Sequence, residues 1–325
     1  MKRFFRQKRY WLTTLIVLVL ALVVYFGGGY VVYAKLATID QSKHLADYTN
    51  NPSNFIVADS QYQTFNTTPY EVSSYREVAF PSRSANLSLS GWYIEVNPQA
   101  PVVIITAGIR SYKKDAKVLV PAGMLAHNGF NVLMFDLRNH GDSDKDNGRT
   151  SVGNKEYLDV LGAWDYMIAK GYSTDRIGFY GVSLGAASDL IAFGQEPRLA
   201  ALFEDSGFGN LPEIMTAELV RSKMPTFLVT PAEIMARVVG GENLLAYNPS
   251  DAINHDNNRP IYIVHGTGDT RVSVNQTREL EALAKSTGAN VTVWYTDGID
   301  HLGSVFTFPT EYQQRMVGFF KASLK

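Results

Sequence analysis

Hydrophobic positions fall into three regimes along the chain. Residues 11–33 form a continuous apolar run without a charged side chain, and a helix needs about 20 such residues to cross the hydrocarbon of a bilayer. Residues 34–68 turn polar and aperiodic around Asn50-Asn51-Pro52-Ser53, which predicts a stalk or linker. From residue 69 to the end at 325, short apolar runs alternate with segments of helical period. Residues 75–80 and 87–96 predict two strands around a turn, the second opening with the half-exposed alternation Leu87-Ser88-Leu89-Ser90. Residues 102–105 and 132–135 are apolar throughout, as parallel strands covered on both faces are. Helices are predicted over 118–128 and 157–170, stopped by Gly129 and Gly171. Strands at 199–203, 261–264 and 291–295, with helices at about 275–285 and 312–321, continue the alternation. That succession defines an α/β domain whose twisted, mostly parallel sheet carries helices on both faces. The rhythm fails at about 207–251, where helical patches holding Met215, Met224 and Met235 predict a small helical cap.

One junction stands out from the alternation. Ile177, Phe179 and Tyr180 lead as a strand into Gly181-Val182-Ser183-Leu184-Gly185, and a small-residue helical pattern follows at once. A serine at the apex of such a turn is held in a strained backbone conformation with its hydroxyl clear of the sheet, and the glycines let the strand and helix backbones pass closely.

Composition adds limits. A net charge of −1 carries neither a basic nucleic-acid footprint nor an acidic tail, so no nucleic-acid partner is expected. The chain has no cysteine, which excludes a disulfide scaffold, a thiolate metal site and a cysteine nucleophile. Lys2, Arg3, Arg6, Lys8 and Arg9 precede the apolar run and only Lys35 closely follows it. By the positive-inside rule the N-terminus, residues 1–10, is cytoplasmic and the remaining chain lies outside, with Trp11, Tyr30 and Tyr33 at headgroup level. A cleaved signal peptide, ending near Val32-Tyr33-Ala34, is the rival reading, and Gly27-Gly28-Gly29 is expected to weaken the helix near its outer end.

A serine hydroxyl needs a base to take its proton, and the base needs a carboxylate to fix its tautomer. Of six histidines, His301 is best placed, in the loop after the last strand at the sheet edge that carries Ser183. His44 lies in the linker, His127 in a helix, His255 in a polar loop, and His265 at a strand end. The acid is Asp269, in the glycine-rich loop His265-Gly266-Thr267-Gly268-Asp269, with Glu204 and Asp205 as competitors; Asp300 neighbours His301, but adjacent side chains on a loop diverge. Arg110, Lys113 and Lys114 read as a solvated patch that an anionic substrate would also suit.

These residues together resemble the α/β-hydrolase superfamily. Gly181-Val-Ser-Leu-Gly185 matches its nucleophile elbow, Asp136-Leu-Arg-Asn-His-Gly-Asp-Ser143 resembles its D-x-R-G-H-G-x-S loop, and the order Ser183, Asp269, His301 is the family's. The chain is similar, within it, to serine-aminopeptidase-like and membrane-tethered bacterial hydrolases. The resemblance implies an α/β-hydrolase fold over residues 69–325 and an oxyanion hole from the backbone N–H groups of Leu184 and Ile109, although Ala107-Gly108-Ile109 stands where the family commonly has His-Gly. Asn139 replaces a usual glycine, and asparagine tolerates the left-handed conformation best among other residues. His140 is expected to be structural. The implied activity is a membrane-anchored serine hydrolase acting on a carboxylic ester through an acyl-enzyme, with no cofactor and no metal. A tethered peptidase, with Glu213, Glu218 and Glu233 holding a free amino terminus, and a non-catalytic binding protein on the same fold are the alternatives.

Overall fold

The computed structural model describes residues 2–40, 49–83 and 86–325, with side chains from residue 10 onward. An eight-stranded sheet takes the order β1 (Arg76–Pro81), β2 (Ser88–Ile94), β4 (Asn131–Phe135), β3 (Val102–Thr106), β5 (Ile177–Val182), β6 (Ala201–Asp205), β7 (Ile261–Gly266) and β8 (Val291–Thr296). β2 runs antiparallel to β1 and β4, and all other pairings are parallel. The helices are α1 (Lys2–Ala37), α2 (Ala116–His127), α3 (Tyr157–Ala169), α4 (Leu184–Gln195), α5 (Leu211–Arg221), α6 (Val229–Gly240), α7 (Asp251–Asn254), α8 (Asn275–Thr287), α9 (Ser304–Thr307) and α10 (Pro309–Ser323).

The period of two along a strand divides the core. On β3, Val103 and Ile105 pack with α2 and α10, whereas Val102 and Ile104 pack with α3, α4 and α8. Both faces are therefore covered, which is why β3 and β4 are apolar at nearly every position. The parallel strands end at one edge of the sheet, at Thr106, Phe135, Val182, Asp205, Gly266 and Thr296. Ligands of open α/β sheets bind outside such carboxyl ends.

Two compact units divide the chain: residues 1–38 with 212–244, and residues 39–211 with 245–325. The second holds the sheet. In the first, α6 packs against α1, which runs unbroken through Gly27, Gly28 and Gly29. A Cβ on Gly29 would lie 2.5 Å from the Pro231 carbonyl carbon, so a glycine read as a weak point in the helix is where the second helix approaches.

Part of the expected linker is structured. Phe55 and Val57 are buried in the core, the Thr67 hydroxyl donates to the Phe55 carbonyl at 2.7 Å, and the Val72 N–H donates to the Pro52 carbonyl at 2.6 Å. Two apolar residues in a polar stretch make no period, yet each fills a hole in the larger domain. The rest of that expected linker, residues 41–48 with His44, lies outside the described residues.

Candidate active site

Ser183 joins β5 to α4 with φ 54° and ψ −117°, a conformation that costs a non-glycine residue about 1–3 kcal/mol. The glycines around it answer to crowding. A Cβ on Gly181 would meet Asp189 Oδ2 at 2.5 Å, and one on Gly185 would meet the Thr106 carbonyl oxygen at 2.2 Å. The Ser183 N–H donates to the Asp205 carbonyl at 2.9 Å, fixing the turn to the end of β6.

His301 and Asp269 meet across two loops. Asp269 follows β7 by three residues and His301 follows β8 by five, and the His301 Nδ1–H donates to Asp269 Oδ2 at 2.7 Å. That bond leaves Nε2 with the lone pair. The other carboxylate oxygen accepts the Arg271 and Val272 N–H groups, each at 2.8 Å. Burial alone would raise the Asp269 carboxyl. Hydrogen bonds from His265 and His301, the charge His301 can carry and the Val272 N–H outweigh it and hold the group well below the usual carboxylate range.

Ser183 and His301 line one cleft of about 280 Å³ with Gly108, Ile109, Arg110, Asp115 and Arg271. The Ser183 hydroxyl makes no hydrogen bond among the described residues, and such contacts commonly tighten only once substrate is bound. The N–H groups of Leu184, at the start of α4, and of Ile109, in the cleft wall, are likewise unengaged among the described residues. A helix N-terminus with an unengaged N–H favours negative charge.

Asp205, Asp300, His127, His140 and His255 are occupied elsewhere. Asp205 accepts the Tyr312 hydroxyl at 2.7 Å and the Ser206 hydroxyl at 2.8 Å. Asp300 accepts the Thr270 and His301 N–H groups at 2.8 Å, as a turn former does. His140 is buried with Nδ1–H on the Arg138 carbonyl at 2.8 Å, and burial lowers its pKa despite that bond. His127 Nδ1 lies 3.0 Å from the Pro69 carbonyl and His255 Nδ1 2.8 Å from the Asp251 carbonyl. Asn139 takes φ 63°, the left-handed conformation its glycine-like position requires, and its side chain binds the Asp146 and Gly148 N–H groups.

Two features differ from the sequence expectation. Lys113 is not part of a solvated patch: it is 1% exposed, with Nζ 2.5 Å from Asp136 Oδ2 and 2.8 Å from Asp142 Oδ2. It stitches the loop after β3 to the loop after β4. His265 also does more than end a strand. Its Nε2 lies 3.0 Å from the Val272 carbonyl and 3.2 Å from Asp269 Oδ2, and its Nδ1 lies 2.7 Å from the Thr277 hydroxyl. Asp269 is thus gripped by two imidazoles. The spacing of four positions from His265 to Asp269 on a glycine-rich turn is the available signal.

Glu204, paired with Gly181 across β5 and β6, is fully buried, and neither carboxylate oxygen has a partner among the described residues. Burial pushes its carboxyl up to about 8, with Asp205 adding to the effect and His265 opposing it. Glu204 therefore keeps in the folded chain a proton that it loses in the unfolded chain between about pH 4.5 and 8, and its contribution to stability falls as pH rises through that window. Glu204→Gln should flatten the dependence, gaining on the order of 3 kcal/mol over the wild type at the alkaline end. Thermal melts of both chains from acid to alkaline pH check this, and parallel profiles would refute it.

The sheet order, the strained serine turn and the helices on both faces define an α/β hydrolase. The chain belongs to the prolyl oligopeptidase family, whose model matches residues 120–325. An uncharacterised 31.7 kDa protein of Escherichia coli, from a traX-finO intergenic region, is 27% identical over 150 residues, 45% of this chain and 51% of that protein. The chain thus spans about half the length of that curated relative. An acyltransferase of Aspergillus calidoustus, drtE, is 26% identical over 64% of this chain and 65% of its own. An esterase of Pyrococcus furiosus superposes with a TM-score of 0.63 at 24% identity, over 86% of this chain and 99% of that one.

Proposed function

We infer that this chain is a membrane-anchored serine hydrolase that cleaves a carboxylic ester. The observation that carries the reading is the 2.7 Å bond from His301 to a depressed Asp269 carboxylate, beside a strained Ser183 in the same cleft. His301 Nε2 takes the hydroxyl proton as Ser183 Oγ bonds to the substrate carbonyl carbon, and the N–H groups of Leu184 and Ile109 hold the oxyanion. The alcohol leaves with that proton, and water, deprotonated by His301, then releases the acid from Ser183.

A peptidase with the same machinery is the second reading, favoured by the family description. An aminopeptidase needs a carboxylate to hold the substrate's ammonium, and the cleft offers Asp115 against Arg110, Lys117 and Arg271. Asp115 is already committed, its carboxylate accepting the Lys117 N–H at 2.9 Å as the cap of α2 and the Ser111 hydroxyl at 2.9 Å. Of the glutamates read as a holding cluster, Glu218 is paired with Arg221 at 2.6 Å. These contacts favour the ester.

Support for the anchor comes from α1. Its residues from Trp11 to Val24 are exposed on every side although apolar, whereas a helix apolar all round is stable when lipid or protein surrounds it. Its outer end is built into a packed unit, with the Tyr33 hydroxyl donating to Glu242 at 2.8 Å, and signal cleavage near Ala34 would remove that packing.

The test is hydrolysis of p-nitrophenyl esters of increasing acyl length by the full chain in detergent, beside aminoacyl p-nitroanilides. Ester turnover well above anilide turnover is expected, and the preferred length sizes the acyl site. A folded protein active only on anilides would reverse the order of the two readings.

A further inference from the structure

The unit formed by α1 and residues 212–244 carries a surface that the reaction does not use. Its internal contacts fix a register. A Cβ on Gly28 would lie 3.1 Å from Leu228 Cδ2, one on Gly29 would meet Pro231, and one on Gly240 would meet the Tyr33 hydroxyl. These contacts all fall between Gly28 and Tyr33 of α1. At 1.5 Å per residue they lie roughly 26–33 Å beyond Trp11, where a hydrocarbon core of about 30 Å gives way to headgroups.

α6 and the turn before it show an apolar stripe at that level. Phe227 is 66% exposed, Ile234 40% and Val238 73%. Ile234 and Val238 stand one turn apart on the same face of α6, and Phe227 stands in the short turn that leads into the helix. Ala232 and Ala236 are buried on the opposite side of the helix, and Pro231, seven residues before Val238 and so on the stripe's own side, is buried against Gly29 of α1. Water gains nothing from such a stripe, and a large exposed apolar patch marks an interaction site. Lys223 and Arg237 are exposed nearby, as cations flanking an interfacial helix are.

We propose that Phe227, Ile234 and Val238 dock into the headgroup layer of the bilayer that α1 crosses, on the side away from the N-terminus, so that α6 is a second, monotopic membrane contact. The proposal rests on the anchor reading, because the level of the stripe is set by α1. Lipid is the occupant because the stripe is held against the helix that already meets lipid, at the depth where that helix leaves the hydrocarbon. Three side chains inserted by a few ångströms reinforce a span; alone they would bind weakly.

The absence of cysteine makes the test direct. Single cysteines at Phe227, Ile234 and Val238, and at Leu18 as a control within the span, are labelled with an environment-sensitive fluorophore. The full chain is reconstituted in phosphatidylcholine–phosphatidylglycerol vesicles containing nitroxide lipids, with spin labels near the headgroup or deep in the acyl chain. Relative to vesicles without nitroxide lipids, shallow nitroxide should quench the stripe positions at least about twofold, and deep nitroxide should quench position 18. Unquenched stripe positions while 18 is quenched would overturn the docking and leave the anchor standing. No quenching at 18 would overturn the anchor and the docking with it. Blue-shifted stripe emission without lipid quenching would give the face to a second copy or another protein, and would also overturn the proposal.

Discussion

Ser183→Ala is expected to lower ester kcat by about 10⁴- to 10⁶-fold with little change in KM, because it removes the covalent route and leaves the cleft intact. What remains should come from substrate binding and from the N–H groups of Leu184 and Ile109, which do not depend on the side chain at 183. Alanine must adopt the same φ of 54°, so the strain stays and the melting temperature should barely move. The measurement is full-chain ester turnover together with labelling by a fluorophosphonate, which should be lost in the variant. A variant retaining a tenth of wild-type turnover would remove Ser183 from the nucleophile's role. Absence of labelling in the folded wild type would favour a binding protein on this fold.

Asp269→Asn is expected to cost about 10⁴-fold in kcat. The carboxylate accepts from His301 Nδ1 at 2.7 Å and so fixes the tautomer in which Nε2 can take a proton. An amide nitrogen at that place donates instead, turns the imidazole to the other tautomer and points an N–H at the serine. The same substitution has a stability signature. The ionised carboxylate, depressed in the folded chain, contributes stability above its ordinary value of 3.8 and loses it as pH falls through the folded value. The variant should therefore melt lower at neutral pH, with the gap to wild type closing in acid. Lost activity with an unchanged neutral melt would mean that Asp269 acts on the histidine alone. Retained activity would move the acid's role to another carboxylate.

Much of this arrangement was legible because each part is local. The unbroken apolar runs at 102–105 and 132–135 identify strands buried on both faces, and the elbow announces itself by two glycines flanking a serine. Asp269 and His301 are found by counting from strand ends, since parallel strands deliver their following loops to one edge. Lys113 could not be found that way. Its carboxylate partners lie 23 and 29 residues on, and a lysine among charged neighbours reads as surface until the partners are known. Phe55 and Val57 were missed for a related reason: isolated apolar residues have no period. The glycines of α1 were given the correct local propensity, but a packed neighbour outweighs a cost of about 1 kcal/mol per glycine.

The backbone angle at Ser183 bears on how such a chain would evolve. A glycine there would relieve the strain of a non-glycine residue at φ 54°, ψ −117°, so drift without catalytic selection should settle on glycine. Screens for heat-resistant variants of this chain should therefore enrich Ser183→Gly when they select for folding alone, and lose it when they select for turnover.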